Sequence, residues 1–305
     1  MKLSVCEQQL HISIQEPTDC DHVLEDLHLS RKSRYLLYQE RRILCNGQVV
    51  ARSIPLGRED QLVLLPTPVD EPIPLWDHPI DILYEDEVLL IVNKEPHMLV
   101  HSDGNNTSHT LCNCVAGYYA RTHQDHPIRP LHRLDVETSG ILLFCKCSLL
   151  QPLFDDRMKN KQIRRSYLAI VQGRFPKRAQ LYTDPIGRDR HDARRYITHP
   201  KGKPAQTSVS LVHYDPQHDR SLIRCRLFTG RTHQIRVHMK YIGHPLPGDY
   251  LYNPVYDRIK RQPLHSYQLN FFHPITKKPM LFTAPVPSDF KNAFSEFLAT
   301  VTGSG

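Results

Sequence analysis

Apolar residues recur along this chain with two periods, and the two periods together predict an α+β fold. Alternating positions or short apolar runs are typical of strands, whereas spacings of three and four residues are typical of helices. Strands are predicted at 62–65, 88–92, 140–146, 165–171, 207–213 and 221–228. Helices are predicted to begin at Arg31 and directly after a capping Thr232, and to cover 108–121 and 149–158. Mostly antiparallel strands with a few helices indicate a mainly antiparallel mixed sheet.

A proline-rich stretch divides the chain. Five prolines fall between residues 66 and 79, a density that disfavours helices and central strands and gives a stiff, extended connection. We therefore expect four regions, which are a small α+β domain at 1–66, a linker at 67–80, the main domain at 81–290 and a C-terminal helix or tail at 291–305.

The first region has the pattern of a helix followed by a hairpin. Ser30 can cap the helix that begins at Arg31, and Asn46–Gly47 is a tight-turn signal between two short strands. Basic residues in the first turn of the helix can offer a positive face to RNA. The alternative is a solvated helix face that only carries charge, and this stretch by itself favours that alternative.

Composition narrows the class of protein. Of 305 residues, 40% are apolar and 23% are charged, which is ordinary for a globular protein and excludes disorder throughout. The net charge of +7 suits an anionic partner such as nucleic acid, or simply a basic enzyme. No apolar run reaches the roughly 18 residues of a membrane span, and the first residues lack a secretory pattern. We expect no membrane contact and a cytoplasmic location.

The cysteines and glycines argue against metals and nucleotide cofactors. Eight cysteines include two C-x-C pairs but no C-x2-C knuckle, so we expect reduced, structural thiols and no metal site. The sequence has no glycine-rich loop of the kind that cradles phosphates, so a nucleotide cofactor is not expected.

The densest group of reactive side chains is HRLDVETSG, residues 132–140. It precedes a buried strand and should therefore be a loop on a rigid scaffold, where reactive groups tend to lie. Asp135 can act as a nucleophile or a base, and Arg133 can contact phosphate or fill a gap in a base stack. Thr138 and Ser139 can tie the loop to its own backbone. A polar turn without chemistry is the alternative for this loop.

Two further segments carry candidate groups. In TGRTHQIRVH, residues 229–238, Arg236 could keep a buried carboxylate ionised, whereas His233 and His238 are best read as structural histidines. In the strand at 165–171, Tyr167 shares a face with Ala169 and Val171. A tyrosine beside basic residues suits stacking on a base, although a lone strand tyrosine is more often part of a core.

Together these segments resemble the RluA-type pseudouridine synthase family. The resemblance covers about residues 80–287 and follows the family's order of blocks. The blocks are NKEP (93–96) with His101, HRLDVETSG (132–140), RSYLAIVQG (165–173), GKPAQT (202–207), and TGRTHQIRVH (229–238) followed by GHPLPGD (243–249). The first region also resembles, more weakly, the small helix-hairpin RNA-binding domain often fused to these enzymes.

The resemblance implies roles for individual residues. Asp135 matches the catalytic aspartate, Tyr167 the tyrosine that packs against the target base, and Arg236 the arginine paired with the aspartate. Arg133 matches the residue that helps to push the uridine out of its stack. The remaining residues expected to contact substrate or RNA are His132, Thr138, Lys94, Arg231, His233 and Gln234. One departure is Lys94-Glu95-Pro96-His97, where the family usually has Lys-Pro-x-Gly, and it puts substrate contacts of that loop in question.

The implied activity is isomerisation of uridine in RNA, without an external cofactor or metal. Asp135 would act as covalent nucleophile or as base, and the sequence leaves both routes open. The expected partner is RNA, ribosomal RNA before transfer RNA, and a monomer is the default. Two alternatives stay open, which are a non-catalytic RNA-binding protein on the same scaffold and a hydrolase. A hydrolase would pair Asp135 with Glu137, and a retaining glycosidase needs two carboxyl groups about 5 Å apart.

Overall fold

The computed structural model describes residues 1–66, 73–253 and 259–294. Within those ranges the chain folds into helices and mainly antiparallel sheets, as the α+β prediction requires. None of the helices in these ranges is long and apolar enough to cross a membrane.

The first 66 residues form a five-stranded antiparallel sheet with two helices. The elements, in chain order, are β1 (Lys2–Cys6), β2 (Gln9–Ser13), β3 (Thr18–Asp19), α1 (Cys20–Asp26), α2 (Arg31–Gln39), β4 (Ile43–Cys45), β5 (Gln48–Val49), β6 (Pro55–Leu56) and β7 (Gln61–Leu64). The sheet order is β1-β2-β7-β4-β5, and β3 pairs with β6 beside it. Ser30 caps α2 by accepting from the backbone N–H of Ser33, and Asn46–Gly47 joins β4 to β5, as predicted.

The rest of the described chain is organised around a ten-stranded sheet. The elements of this part, in chain order, are β8 (Ile82–Glu85), β9 (Leu89–Lys94), α3 (Leu111–Arg121), β10 (Arg129–Pro130), β11 (Ser139–Cys145), α4 (Gln151–Lys159), β12 (Arg164–Gln172), β13 (Gln180–Tyr182), β14 (Ile186–Arg188), β15 (Tyr196–Thr198), β16 (Thr207–Asp215), β17 (Arg220–Leu227), α5 (Gln234–Tyr241), β18 (Leu264–Phe272), β19 (Pro279–Thr283) and α6 (Ser288–Ala293). Strands β14 and β15 pair with each other outside the ten-stranded sheet. The strand order is β13-β16-β17-β12-β18-β11-β9-β8, with β10 beside β11 and β19 beside β18. Among the described strands of this sheet, the β11–β18 pair alone is parallel, so the sheet is mixed and mainly antiparallel.

Strand β12 has apolar side chains on both faces because the sheet is covered on both sides. Tyr167, Ala169 and Val171 belong to one apolar cluster, and Leu168 and Ile170 belong to another. The alternation read from the sequence is therefore confirmed.

The first 66 residues pack directly on the main sheet. Leu10 and Ile12 of β2 belong to the same apolar cluster as Leu149 and Phe154 of the later chain. The Sγ atom of Cys147 lies 3.8 Å from the backbone oxygen of Gln8. The two regions share a core, and the division at 1–66 and 81–290 stays a prediction.

The described part of the proline-rich connection, residues 73–80, has no regular secondary structure and lies along α3. Asn113 donates from Nδ2 to the backbone oxygen of Pro74, and the backbone oxygen of Asn113 accepts from the N–H of Trp76. Residues 67–72 of the predicted linker lie outside the described residues. Helix α6 begins at Ser288, before the predicted tail at 291–305, of which residues 295–305 are likewise not described.

The predicted N-cap of α5, Thr232, is wrong by one residue. The helix begins at Gln234, and its N-cap is His233 in the left-handed region (φ 57°), with no cap from its side chain. The Gln234 side-chain oxygen accepts from the hydroxyl of Thr229 and from the N–H of Arg231, at 2.8 and 3.0 Å. Because Gln234 closes the preceding loop, Thr232 is left exposed and caps nothing.

Candidate active site

The loop that contains Asp135 and the strand that contains Tyr167 meet at one residue of β18. Ser266 lies opposite Gly140 in the parallel pair and opposite Tyr167 in the antiparallel pair. Gly140 has φ +105°, and a Cβ added there would lie 2.2 Å from the backbone oxygen of Ser266. Only glycine permits this approach, which brings the start of β11 and the loop before it close to β12.

Asp135 is held by a guanidinium that is itself fixed from the other side. Nη1 of Arg236 donates to Oδ2 of Asp135 at 2.8 Å. Nε and Nη2 of Arg236 donate to the two oxygens of Asp249, at 2.7 and 2.9 Å. The Arg236 and Asp249 side chains are 3% and 0% exposed, so the arginine is a rigid positive group placed beside Asp135.

This arrangement keeps Asp135 ionised. Burial would raise the pKa of Asp135, but the charge of Arg236 and the hydrogen bonds from Arg236 and Gln262 lower it below the ordinary value. Gln262 donates from Nε2 to Oδ2 at 3.4 Å. Both donors engage Oδ2, and the side chain is 25% exposed. Oδ1 is therefore the oxygen available to a substrate.

His233 lies beside that free oxygen. Its Nε2 is 4.0 Å from Oδ1 of Asp135, and its Nδ1 is 2.8 Å from the hydroxyl of Tyr252. Burial lowers the pKa of His233, with Asp135 opposing and Arg236 adding to the shift, so the ring is neutral near pH 7. His238 bonds Thr207 and the backbone oxygen of Asp184, and its structural role is confirmed.

These groups open into one cleft of about 990 Å³, hereafter the cleft. Tyr167, Arg133, His132 and Arg231 all contribute to its wall, together with Asp135. Its charged lining is dominated by seven cations, against the acids Asp103, Asp135 and Glu137. The cations are Arg133, Lys159, Arg165, Arg188, Arg194, Arg231 and Arg236. Such a lining attracts a polyanion.

Three residues predicted to contact RNA have their polar atoms engaged within the protein. Lys94 is 1% exposed and donates to the backbone oxygens of Glu95, Met98 and Val136, at 2.7, 2.8 and 3.0 Å. Burial lowers its pKa to about 7 despite the nearby charge of Asp135. Lys94 therefore stabilises the loop of Asp135 through its bond to the backbone oxygen of Val136. The structure does not support the predicted contact of Lys94 with RNA.

Thr138 and Gln234 are placed in the same way. The hydroxyl of Thr138 accepts from Nε2 of Gln262 at 2.9 Å, and the side chain is buried. Nε2 of Gln234 donates to the backbone oxygen of Gln206 and to the hydroxyl of Thr207. Both residues position the loops around the cleft.

The sequence reading assigned no role to Asp249, Gln262 or Tyr252. Asp249 stands 13 residues after Arg236, at the end of the GHPLPGD block, and only its hydrogen bonds with Arg236 show its role. The Tyr252 ring packs on the Arg236 guanidinium at 5.0 Å. Gln262 stands 127 residues after Asp135 and carries no motif signal.

None of the eight thiols is among the residues that line the cleft. All eight cysteines are free, and seven of them are buried. In the described parts of the chain, no group of three His, Cys, Asp or Glu side chains is arranged to hold a metal ion.

Comparison with known proteins agrees with this geometry. The family model described as RNA pseudouridylate synthase matches residues 88–241. The chain is 38% identical over 214 residues to the uncharacterized RNA pseudouridine synthase YhcT of Bacillus subtilis, covering 70% of each chain. It is 32% identical over 280 residues to the ribosomal large subunit pseudouridine synthase D of Escherichia coli K12, covering 87% of this chain and 84% of that one.

A solved structure is similar to this chain as well. The human RNA pseudouridylate synthase domain containing 1 protein superposes with a TM-score of 0.57 at 25% identity, over 70% of this chain and 85% of that one. The resemblance to RluA-type enzymes read from the five sequence blocks is confirmed, and the chain belongs to the RNA pseudouridylate synthase family.

Proposed function

We propose that this protein isomerises uridine to pseudouridine in large-subunit ribosomal RNA, with Asp135 as the catalytic residue. The observation that carries the proposal is the Asp135 carboxylate, which borders a cationic cleft and whose Oδ2 accepts from Arg236 and Gln262 while Oδ1 is left for a substrate. The ribosomal target is supported by the match to the large-subunit enzyme of Escherichia coli, which extends over 87% of this chain.

The reaction needs one ionised carboxylate with one open oxygen. The bond from ribose C1′ to N1 of uracil breaks, the base turns, and C1′ joins C5, which gives up its proton. Oδ1 of Asp135 can either bond to C1′ or take the proton from C2′ of the ribose. Both routes require that the carboxylate of Asp135 stays negatively charged in a partly desolvated site. The positive charge of Arg236 stabilises that ionised form.

Other residues of the cleft are suited to bind the uracil base after it leaves its stack. Tyr167 is 3% exposed and forms part of the wall, so its ring can pack on the detached uracil. Taking the uridine out of its stack costs a few kcal/mol. Arg133 is exposed at the rim and can occupy the gap that the base leaves. Phosphate contacts from the other cations offset the remaining cost.

The decisive experiment uses cellular RNA with tritium at uracil C5, isolated from cells that lack the protein. We expect wild type to release tritium to water from the ribosomal fraction and Asp135→Ala to release none while still binding RNA. Release from transfer RNA alone would contradict the ribosomal target. Absence of release from every fraction, with RNA binding retained, would favour a non-catalytic RNA-binding protein.

A companion variant separates isomerisation from hydrolysis. Glu137 also borders the cleft, and its Oε2 accepts from the N–H of Gln262 at 3.0 Å. Glu137→Gln should retain most of the wild-type turnover, because Asp135 is the one carboxylate that reacts in the proposed isomerisation. Free uracil in the supernatant, or equal loss in both variants, would point to a hydrolase that uses the carboxylate pair.

We also propose that residues 1–66 form an accessory RNA-binding domain. Arg31 and Lys32 lie exposed in the first turn of α2, and the Tyr35 side chain beside them is 61% exposed. Changing Arg31 and Lys32 together to Gln should weaken RNA binding and reduce its salt dependence by up to about two charges. An unchanged salt dependence would dismiss the idea. The monomeric state and the cytoplasmic location stay predictions.

A further inference from the structure

Arg165 is a buried cation without an anion. It lies on β12 two residues before Tyr167 and therefore on the same face, and both side chains border the cleft. The residue is 7% exposed, and its Nε has no hydrogen-bond partner. Among the described residues it forms no ion pair, in contrast to Arg236 and Arg261, which have acidic partners. A buried charge of this kind is unfavourable unless a counter-charge arrives.

His132 provides a second unsatisfied group at the same wall. The residue is 8% exposed, and neither ring nitrogen has a hydrogen-bond partner in the described part of the chain. Burial, with the charge of Arg165 adding, lowers its pKa to about 3, so the ring is neutral and keeps one N–H donor. Buried polar atoms in native proteins nearly always have partners, so a cluster without them calls for a missing ligand.

The backbone beside Arg165 leaves space for that ligand. A Cβ added to Gly230 would lie 3.3 Å from Nη1 of Arg165, closer than side chains normally pack. The absence of a side chain keeps the guanidinium open towards the cleft, of which Gly230 is also part. A planar guanidinium and a neutral imidazole donor together match the oxygens of a phosphate.

We infer that Arg165 and His132 form a phosphodiester subsite that holds the RNA backbone next to the flipped uridine. This inference rests on the proposed function and adds a binding site to it. The subsite lies beside Tyr167, where the base is to be packed, and each nucleotide in RNA carries a phosphate on either side of its ribose. Binding there fixes the ribose relative to Asp135 and supplies the counter-charge that Arg165 lacks.

The first test needs no turnover. Thermal unfolding is followed with uridine 3′,5′-bisphosphate or uridine, in wild type, Arg165→Met and Arg164→Met. Arg164 is exposed on the same strand, so Arg164→Met is the matched control that removes a positive charge outside the cleft. Without ligand, Arg165→Met should melt no lower than wild type, because it removes an unpaired buried charge. The bisphosphate, but not uridine, should raise the melting temperature of wild type and Arg164→Met by about 2 °C or more.

Arg165→Met should lose at least half of that shift. Equal shifts in the three proteins would overturn the inference, and so would a melting temperature of Arg165→Met well below wild type, which would make Arg165 a structural residue. Because this test does not depend on tritium release, it stays informative if the proposed activity fails.

The second test identifies the phosphate. In the shortest RNA that wild type modifies, single phosphates around the target uridine are replaced by uncharged methylphosphonates. One replacement should lower kcat/KM of wild type about 10- to 100-fold. On unmodified RNA, Arg165→Met should have a kcat/KM that is lower than wild type by a similar factor. When the same phosphate is replaced, kcat/KM of Arg165→Met should fall by less than a further 2-fold. Multiplied losses at every position would show that Arg165 holds none of these phosphates.

Discussion

Asp249 accepts from two of the three nitrogens of Arg236 and thereby directs the third at Asp135. The Arg236 guanidinium cannot turn without breaking the bonds at 2.7 and 2.9 Å to Asp249. Asp249 is itself fixed, since its Oδ1 also accepts from the N–H groups of Leu251 and Tyr252. The position of the reactive carboxylate therefore depends on a second carboxylate that does not border the cleft.

Asp249→Asn should weaken both the fold and the activity. The variant leaves the buried Arg236 with Asp135 as its one charged partner, and breaking a buried pair costs about 3 kcal/mol or more. Urea unfolding should show that loss, and kcat should fall at least tenfold because Arg236 loses its orientation. Asp26→Asn, an exposed aspartate on α1, is the control and should change neither. Full activity with a weakened fold would limit Asp249 to stability.

Arg236→Gln should move the acidic limb of the pH–rate profile upwards. In wild type, burial raises the pKa of Asp135, and Arg236 is foremost among the groups that lower it below the ordinary value. We therefore expect kcat/KM to stay constant as the pH is lowered to the ordinary pKa of an aspartic acid. Without the guanidinium, burial prevails and Asp135 takes up its proton at higher pH. The residual activity of the variant should therefore begin to fall at least one pH unit above wild type.

The control for this profile is Lys240→Gln, which removes a positive charge from an exposed position of the same helix. Its limb should coincide with that of wild type. An unshifted limb in Arg236→Gln, measured by tritium release on the same RNA, would remove the electrostatic role given to the arginine.

Gly140→Ala tests the contact between β11 and β18. The new methyl group would lie 2.2 Å from the backbone oxygen of Ser266, so the strands must separate. We expect a loss of about 2–4 kcal/mol in unfolding free energy, and lower kcat because the loop of Asp135 moves with β11. Gly47→Ala is the matched control, since Gly47 also has positive φ but open space around it. It should cost about 1 kcal/mol, and equal losses would contradict the role of close approach.

Local patterns in the sequence predicted most of the elements, whereas Asp135, Tyr167 and Arg236 were selected by the family resemblance of the motifs around them. Alternation along β12 placed Tyr167 on one face and Leu168 on the other, because a strand has a period of two whatever lies beside it. The start of α5 was misplaced because the cap depends on Gln234, whose side chain bonds residues of the preceding loop.

Long-range contacts explain what the sequence did not reveal. Lys94 and Arg165 are both basic residues beside a motif, and residue type does not tell that the first is saturated by carbonyl groups while the second is unpaired. Gln262 reaches the site only through the folded sheet, because it lies just before β18, which pairs with β11 more than a hundred positions earlier in the chain. Asp249 is only 13 residues from Arg236, but the segment between them must fold back before the two side chains can meet.

Two buried histidines should make the fold sensitive to acid. Burial, with the Arg261 charge adding, lowers the pKa of His265 to about 4, and burial with Arg165 lowers that of His132 to about 3. In the unfolded chain both rings take up a proton near pH 6.5, whereas the folded rings stay neutral. Stability is therefore complete above pH 6.5 and is lost as the pH falls towards 4. Asp135, whose pKa is lowered from 3.8, adds to this loss only below that window.

His265→Gln should remove one of these two contributions. Glutamine can replace the bond at 3.0 Å between Nδ1 of His265 and the hydroxyl of Ser139 without titrating. The difference in unfolding free energy between pH 7.5 and 4.5 should shrink by on the order of 2 kcal/mol, measured by urea unfolding. His191→Gln, at an exposed position, is the control. If both variants keep the wild-type difference, acid sensitivity arises elsewhere and His265 is not held neutral by burial.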